Sequence, residues 1–454
     1  QVLDPCGVQG QGHLNRVLPA GFRRKKARAE KERSTGHHGK ERPNRMKPSA
    51  SHVWLCVLGV LGFPAACPGQ GPVAPPPIES AIQPGIEVLL TDSMQLVSRR
   101  RVGLVTNQAG VDSKGVSDVE RLRGAGVNLV ALFSPEHGFR GTAAPGAVVG
   151  SSTDSATGLP IYSLYGPNTA PSDEMLTGID VLLVDLQDAG ARYYTYLFTT
   201  TEVMRSASRH RIPVVLLDRP NPIGSAVQGN VLDPAFASPV GLLAIPMRHG
   251  MTLGELALLA RHDLRLDAEL HVVPAKGWKR SLYFDQTDLP FLPPSPNLKS
   301  VEALIHYPGV CLFEGTNLSV GRGTEHPFEQ IGAPWLDTAK VLSRLREERL
   351  PGIEFSGVTF TPRQPGDGKY ADTLVQGIRF RVVDRSTYDP TRTAVRLLQI
   401  LSHSGLSLLQ RQFDRLAGDG GQLGKQIFTD QVADWERARG DFLTRRRPFL
   451  LYPE

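Results

Sequence analysis

The amino-acid sequence predicts an α/β protein, with a parallel-sheet domain followed by a smaller α/β or α+β domain. Continuous apolar runs recur at 101–106 (RVGLVT), 128–133 (NLVALF), 179–185 (IDVLLVD) and 213–218 (PVVLLD). Runs this rich in Val, Leu and Ile suit strands covered on both faces. Helical periodicity fills the gaps near 117–124, 172–177 and 196–210. Strands alternating with helices build a parallel sheet with helices on both sides. The third observation is Pro293-Pro294-Ser295-Pro296. So proline-dense a stretch continues neither a helix nor a central strand, so the chain divides into a domain over 85–296 and a second over 297–454.

The segments around that core follow from local composition. The net charge of +6 belongs to the leader: residues 1–47 hold 12 Lys/Arg against 4 Asp/Glu, leaving 39 against 41 over 48–454. A nucleic-acid footprint needs basic residues clustered on a folded face, so no nucleic-acid partner is expected. Residues 1–45 are polar and basic without apolar periodicity, and read as an upstream extension ahead of a start at Met46. Met46-Lys47 and the apolar run 53–63 (VWLCVLGVLGF) read as a signal peptide over 46–67. The run is too short to span a bilayer as a mature helix. It ends at Pro64-Ala65-Ala66-Cys67, in the manner of a bacterial lipoprotein signal with Cys67 as the lipidated residue. Pro64 stands where such a signal usually has Leu, a departure that bears on lipidation and not on export. The expected location is therefore periplasmic or cell-envelope, with a lipid anchor at Cys67 as the only membrane attachment.

Residues 68–84 are rich in Pro and Gly and read as a tether, with the folded part starting near Gly85. Cys311, in the apolar context VCLF, reads as a buried small hydrophobe, and no cysteine spacing suits zinc. Thr252 and Glu255 have capping-box spacing at the head of a helix over 252–264. The second domain offers a helix near 335–349, strands at 355–361 and 374–384, and helices near 391–403 and 429–441.

In open parallel sheets, ligands bind beyond the carboxyl ends of the strands. Asn107-Gln108 follows the first strand and SPEHGFRG (134–141) the second. Gln187, Asp188, Arg192, Tyr193, Tyr194 and Tyr196 follow the third, and Asp218-Arg219-Pro220-Asn221 the fourth. Glu136 is the sharpest candidate. A general-acid carboxyl works from a cleft, where burial favours its protonated form, and Pro135 and Gly138 make a tight turn to present it. His137 is either a ligand-facing donor, a metal ligand or a structural histidine. Arg140, Arg192 and Arg219 either grip a carboxylate, which the guanidinium fork suits, or brace Asp185, Asp188 and Asp218. The tyrosines either stack on a sugar ring or pack at a helix start. Later, EGTNLSVGRGTEHPFE (314–329) gathers Glu314, Asn317, Arg322, Glu325, His326 and Glu329 around three glycines. That loop is either the second half of a cleft or a solvated hairpin tip. No G-x-G-x-x-G opens a helix after a strand, and there is no P-loop, G-x-S-x-G elbow or H-E-x-x-H.

Eight motifs together carry a resemblance. LVTNQAGVD (104–112), LFSPEHGFRG (132–141), TGLPIYSLYG (157–166), DLQDAGARYYTY (185–196), LDRPNPIG (217–224), MRHGMTLGELA (247–257), PSPN (294–297) and EGTNLSVGRGTEHPFE (314–329) resemble, in order, the NamZ family of exo-acting β-N-acetylmuramidases. The similarity runs from about residue 85 to the C-terminus. It implies a Rossmann-like domain plus a smaller C-terminal domain, with the active site in the cleft between them. It implies release of terminal N-acetylmuramic acid from the non-reducing ends of peptidoglycan fragments, with muropeptides or disaccharides as partners and no cofactor or metal. The Glu of PEHG, here Glu136, is the implied catalytic acid. Glu314 is the choice for its partner and Glu325 the reserve. Asn107, His137, Arg140, Gln187, Asp188, Arg192, Tyr193, Tyr196, Arg219, Asn221, His249, Asn317 and Arg322 are the expected substrate-binding set.

Two rival readings remain open at the level of sequence. A non-catalytic envelope lipoprotein that captures wall sugars would keep the cleft without needing an acid at 136. A metal-dependent hydrolase would use His137, His249 and nearby acids, and would lose activity to a strong chelator.

Overall fold

The computed structural model describes residues 81–144, 146–429 and 434–454. The basic leader, the segment expected to be a signal peptide, with Cys67, and the expected tether up to residue 80 lie outside the described residues.

Helix α1 (Gly85–Asp92) opens the fold. The chain is already ordered just before it: Ile82 is fully buried and Gln83 bridges to Lys276. The apolar runs then form β1 (Arg101–Thr106), β2 (Asn128–Ser134), β3 (Ser152–Thr153), β4 (Pro160–Ser163), β5 (Val181–Asp185) and β6 (Val214–Leu217). A separate hairpin of β7 (Gln228–Val231) and β8 (Pro246–Arg248) precedes β9 (Leu270–Val273). The main sheet has the order β3-β4-β2-β1-β5-β6-β9. All its pairings are parallel except that of the short edge strand β3 with β4. Counting its parallel strands alone, the order is 3-2-1-4-5-6, a doubly wound sheet. The winding reverses between β1 and β5, which opens a crevice beyond their carboxyl ends.

Side chains alternate across this sheet. In β5, Val181 and Leu183 join one core while Leu182 and Val184 join the other. The first core is closed by α1 and by α2 (Asp118–Gly124), with Ile86, Leu89 and Leu122 fully buried. After the one-turn α3 (Asp173–Leu176), the second core is closed by α4 (Tyr196–Arg209) and α5 (Leu253–Asp263). The Thr252 capping box is present, the hydroxyl accepting from Glu255 N while the Glu255 carboxylate accepts from Thr252 N. Such a cap is worth about 1 kcal/mol.

Past the prolines, α6 (Val301–Val310), capped by Ser300, leads to β10 (Gln330–Ala333), α7 (Thr338–Glu348), β11 (Ile353–Phe360), β12 (Val375–Val382) and α8 (Pro390–Ser402). The strands form an antiparallel sheet in the order β10-β12-β11. Helices α6 and α8 touch backbone to backbone: a Cβ on Gly309 would lie 1.9 Å from Pro390 O, so only glycine fits. The chain ends in α9 (Gln410–Ala417), α10 (Gln422–Thr429) and α11 (Glu436–Arg446). One continuous apolar cluster runs from Phe133 and Val184 through Tyr193 and Phe313 to Ile331 and Leu398, so the two halves share a core.

The strands and helices expected before the prolines fall within about two residues of their places. Elsewhere the structure differs. The strands β4 and β9 are short and carry polar residues, which hides them from an apolar-run reading. Helix α6 contains Pro308 near its end, and a proline there masks the periodicity. The single helix expected at 429–441 is instead α10 and α11 on either side of residues 430–433, which lie outside the described residues. Among the described residues, no helix is long and apolar enough to cross a membrane.

Candidate active site

The turn after β2 presents Glu136. Gly138 N donates to Pro135 O at 3.0 Å, and His137 and Gly138 both take left-handed backbone angles, φ 72° and 75°. Half-buried, the Glu136 carboxyl accepts from Gly146 N at 3.1 Å and from Thr195 Oγ1 at 2.9 Å. Thr195 occupies the N-cap position of α4, and its hydroxyl serves Glu136 instead of the helix. The Tyr165 hydroxyl also lies against Glu136; burial pushes its pKa up to about 12, with the Glu136 charge and hydrogen bond acting in the same direction. Neither Thr195 nor Tyr165 was singled out from sequence, although Tyr165 sits in the TGLPIYSLYG motif. Behind this carboxyl, the His137 ring pairs through Nδ1 with Ala143 O at 2.9 Å. Burial holds the His137 pKa below its ordinary value, opposed by Glu136 and reinforced by Arg322.

The crevice at the winding reversal is floored by buried polar groups that satisfy one another. Asn107 donates to Tyr196 OH at 2.6 Å and accepts from Ala109 N at 3.0 Å. Tyr194 and Tyr196 both donate to Pro294 O, at 2.6 and 3.1 Å. Gln187 donates to Asp188 O and Pro220 O. Asp188 Oδ2 accepts from Gly190 N at 2.7 Å and faces His249 Nε2 at 3.4 Å. His249 Nδ1 accepts from Met251 N at 3.2 Å, which leaves Nε2 as the protonated nitrogen toward Asp188. Asn221 donates to Met251 O and accepts from Ile223 N.

Two of the arginines brace the fold. Arg192, 3% exposed, donates to Asn230 O, Ile245 O, Leu416 O and Ala417 O, tying the segment before α4 to α9. Arg219 grips Asp185 through Nε and Nη2, donates to Val111 O at 2.8 Å and lies 3.7 Å from Asp118. Burial, then the Asp185 charge, raise the Asp118 pKa well above its ordinary value, against the pull of Arg219. Tyr193 donates to Pro308 O and packs edge-on against Tyr307, so it is a core residue. Arg140 is 70% exposed, 3.5 Å from Asp154. With Asn107, Gln108, Phe139, Asp154 and Thr157 it lines a groove of about 640 Å³.

The loop 314–329 supplies a second carboxyl. Glu314 Oε1 accepts from Arg322 at 2.6 Å, and Arg322 lies over the Phe328 ring. The backbone here is fastened by Lys369, whose Nζ donates to Phe313 O, Glu314 O and Leu318 O. Asn317 donates to Gly405 O and accepts from Ser407 N, holding the loop to the end of α8. Glu325 is not gathered with these groups: its side chain is 91% exposed, 3.9 Å from Lys299. His326 and Ser300 both bond Glu329, at 2.9 and 2.5 Å. Cys311 is buried beside Glu314, as its context implied.

Fold and site together define a doubly wound α/β protein with a half-buried carboxyl at the crevice and a second, arginine-held carboxyl from its C-terminal half. The chain matches Exo-beta-N-acetylmuramidase NamZ, N-terminal, over residues 102–302 and Exo-beta-N-acetylmuramidase NamZ, C-terminal, over 305–452. It is 41% identical over 382 residues to the peptidoglycan beta-N-acetylmuramidase NamZ of Bacillus subtilis (strain 168), covering 82% of this chain and 91% of that protein. Two crystal structures of DUF1343 family proteins from Bacteroides fragilis NCTC 9343 are similar. One has TM-score 0.75 at 33% identity, covering 82% of this chain and 99% of the other. The second has TM-score 0.64 at 32% identity, with coverage of 83% and 100%. The chain belongs to the NamZ exo-β-N-acetylmuramidase family, a family of glycosidases.

Proposed function

We propose that the protein is an exo-acting glycoside hydrolase that releases terminal β-linked N-acetylmuramic acid from the non-reducing ends of peptidoglycan fragments, in cell-wall turnover. The observation that carries this reading is Glu136, half-buried beside the crevice and fixed by Thr195 and Gly146, in a chain 41% identical to a peptidoglycan β-N-acetylmuramidase.

Glycoside hydrolysis ordinarily uses two carboxyl groups flanking the bond. Glu136 protonates the leaving oxygen. The hydrogen bonds from Thr195 Oγ1 and Gly146 N hold its carboxyl in one orientation, which keeps its proton aligned with the glycosidic oxygen. Glu314, presented from the C-terminal half and gripped by Arg322, assists attack at the anomeric carbon. Export to the envelope places the enzyme with this substrate; the apolar run 53–63 and Cys67 support export and anchoring.

Hydrolysis of a chromogenic β-N-acetylmuramide, with the β-N-acetylglucosaminide as control, tests the reading. Release from the muramide alone is expected. A folded protein that leaves the muramide intact while cleaving another glycoside overturns it.

A further inference from the structure

A carboxyl that assists attack at one atom needs a fixed backbone beneath it, since a misplacement of about 1 Å costs about 10²-fold in rate. Glu314 lies in a short 3₁₀ turn, Cys311–Gly315, at the head of a glycine-rich loop. Its side chain is held by Arg322. Its main chain is held by a different part of the protein, the connection 361–374 between β11 and β12.

Lys369, Tyr370 and Arg363 join that connection to the loop. Lys369 Nζ donates to Phe313 O, Glu314 O and Leu318 O, at 3.4, 2.8 and 3.0 Å. One ammonium thus gathers carbonyls from either end of the stretch 313–318. Between them in sequence, Asn317 O accepts from Tyr370 OH at 2.6 Å. Arg363 N donates to Gly323 O at 2.8 Å, one residue beyond Arg322. The approach is so close that a Cβ on Gly323 would lie 2.4 Å from Arg363 O. The connection therefore grips the backbone at both members of the Glu314–Arg322 pair. It is itself tightly wound. Tyr370 and Asp372 take left-handed backbone angles, φ 53° and 55°, uncommon for residues other than glycine, and Asp372 N closes on Pro362 O at 2.9 Å. Lys369 is part-buried, and burial holds its pKa below the ordinary value against the charges of Asp367 and Glu314. An ammonium has three protons to donate. The three carbonyls take them all, so Lys369 has none left for a ligand.

We propose that Lys369 is a positioning residue for Glu314: by gathering the carbonyls of Phe313, Glu314 and Leu318, its ammonium sets where the second carboxyl stands. It acts through Glu314 and not on the substrate. The inference rests on the muramidase reading above and on the part given there to Glu314.

A double-mutant cycle on a chromogenic β-N-acetylmuramide tests it. Lys369→Met keeps the length of the side chain and removes its donors. In the wild-type background kcat is expected to fall about 10- to 100-fold, the scale of a displacement of up to about 1 Å, with KM little changed. In Glu314→Gln, where the carboxyl is already gone, the same change is expected to cost less than about twofold, as for residues that act as a unit. A lysine that only braces the fold would lower kcat by the same factor in both backgrounds. Tyr370→Phe removes one hydroxyl from the same connection. It is expected to act in the same direction, more weakly, and again only where Glu314 is present, and it decides the question if Lys369→Met does not fold. Wild-type kcat in the folded variants, or equal losses in the two backgrounds, overturns the inference while leaving the muramidase reading standing. Wild-type turnover by Glu314→Gln removes the part given to Glu314, and the inference with it. A wild-type enzyme that leaves the muramide intact defeats the muramidase reading itself.

Discussion

Thr195 Oγ1 donates to Glu136 Oε2 across 2.9 Å. The pair joins the turn after β2 to the cap of α4, neighbours across the winding reversal of the sheet. The contact fixes the direction of the carboxyl from which proton transfer is proposed. Thr195→Val keeps the shape and removes the donor. The carboxyl becomes charged as it gives up its proton, and a bond to a charged group is worth about 1.5–3 kcal/mol, so kcat on the muramide should fall at least about 10-fold with KM little changed, and Thr195→Ser should retain most of it. A rise in KM at constant kcat would assign Thr195 to substrate binding instead.

The two acids of the 314–329 loop are expected to behave oppositely. Glu325 is 91% exposed, so Glu325→Gln should leave kcat/KM within about twofold, as surface changes usually do. Glu314→Gln removes the partner of Arg322 and should cost about 10²-fold or more, the scale of acid–base assistance. Equal effects from the two substitutions would contradict the placement of Glu314 in the mechanism.

Arg192 ties the halves together. In Arg192→Met, the carbonyls of Asn230 and Leu416 lose their donor, while Ile245 O keeps Leu232 N and Ala417 O keeps Asn230 Nδ2. Each unsatisfied buried acceptor costs about 1–3 kcal/mol, so urea denaturation should show a loss of at least about 2 kcal/mol. Proteolysis should find its first new cleavage sites around α9. A loss below about 1 kcal/mol would mean that water replaces the arginine.

Asp218 gives a pH signature. It is fully buried and accepts from Thr252 Oγ1, Gly254 N and Tyr452 OH, at 2.6, 2.8 and 2.6 Å. Burial is the largest influence and raises its pKa from 3.8 to about 6, against those hydrogen bonds. A carboxyl whose folded pKa is raised binds its proton more tightly when folded. Its contribution is therefore complete below about pH 4 and is lost as pH rises through about 6. The shift corresponds to about 3 kcal/mol. Denaturation of wild type and Asp218→Asn between pH 4 and 8 should show the wild-type advantage shrinking by that order. Parallel curves would contradict it.

How much of this was legible in sequence depends on the distance over which each contact acts. The strand ends were readable because unbroken Val/Leu runs and the residues after them are local features. The Thr252–Glu255 box is equally local. What Arg192 and Arg219 do was left open, since brace and ligand grip need the same side chain; the deciding partners, Leu416 and Asp185, lie 224 and 34 residues away. Thr195 was in view within DLQDAGARYYTY, but its pairing with Glu136, 59 residues away, was not. Glu325 and Glu314 look alike in a polar, glycine-rich loop. Only the fold turns Glu314 toward Arg322 and leaves Glu325 in water.

The most direct measurement is kcat for Glu136→Gln on two muramides that differ in leaving group, an N-acetylmuramic acid–N-acetylglucosamine disaccharide and an aryl glycoside with an acidic phenol. If Glu136 protonates the leaving oxygen, the disaccharide should lose about 10²–10⁴-fold while the aryl glycoside, which departs without a proton, loses far less. Equal losses on both, or wild-type turnover of the disaccharide, would contradict Glu136 as the acid.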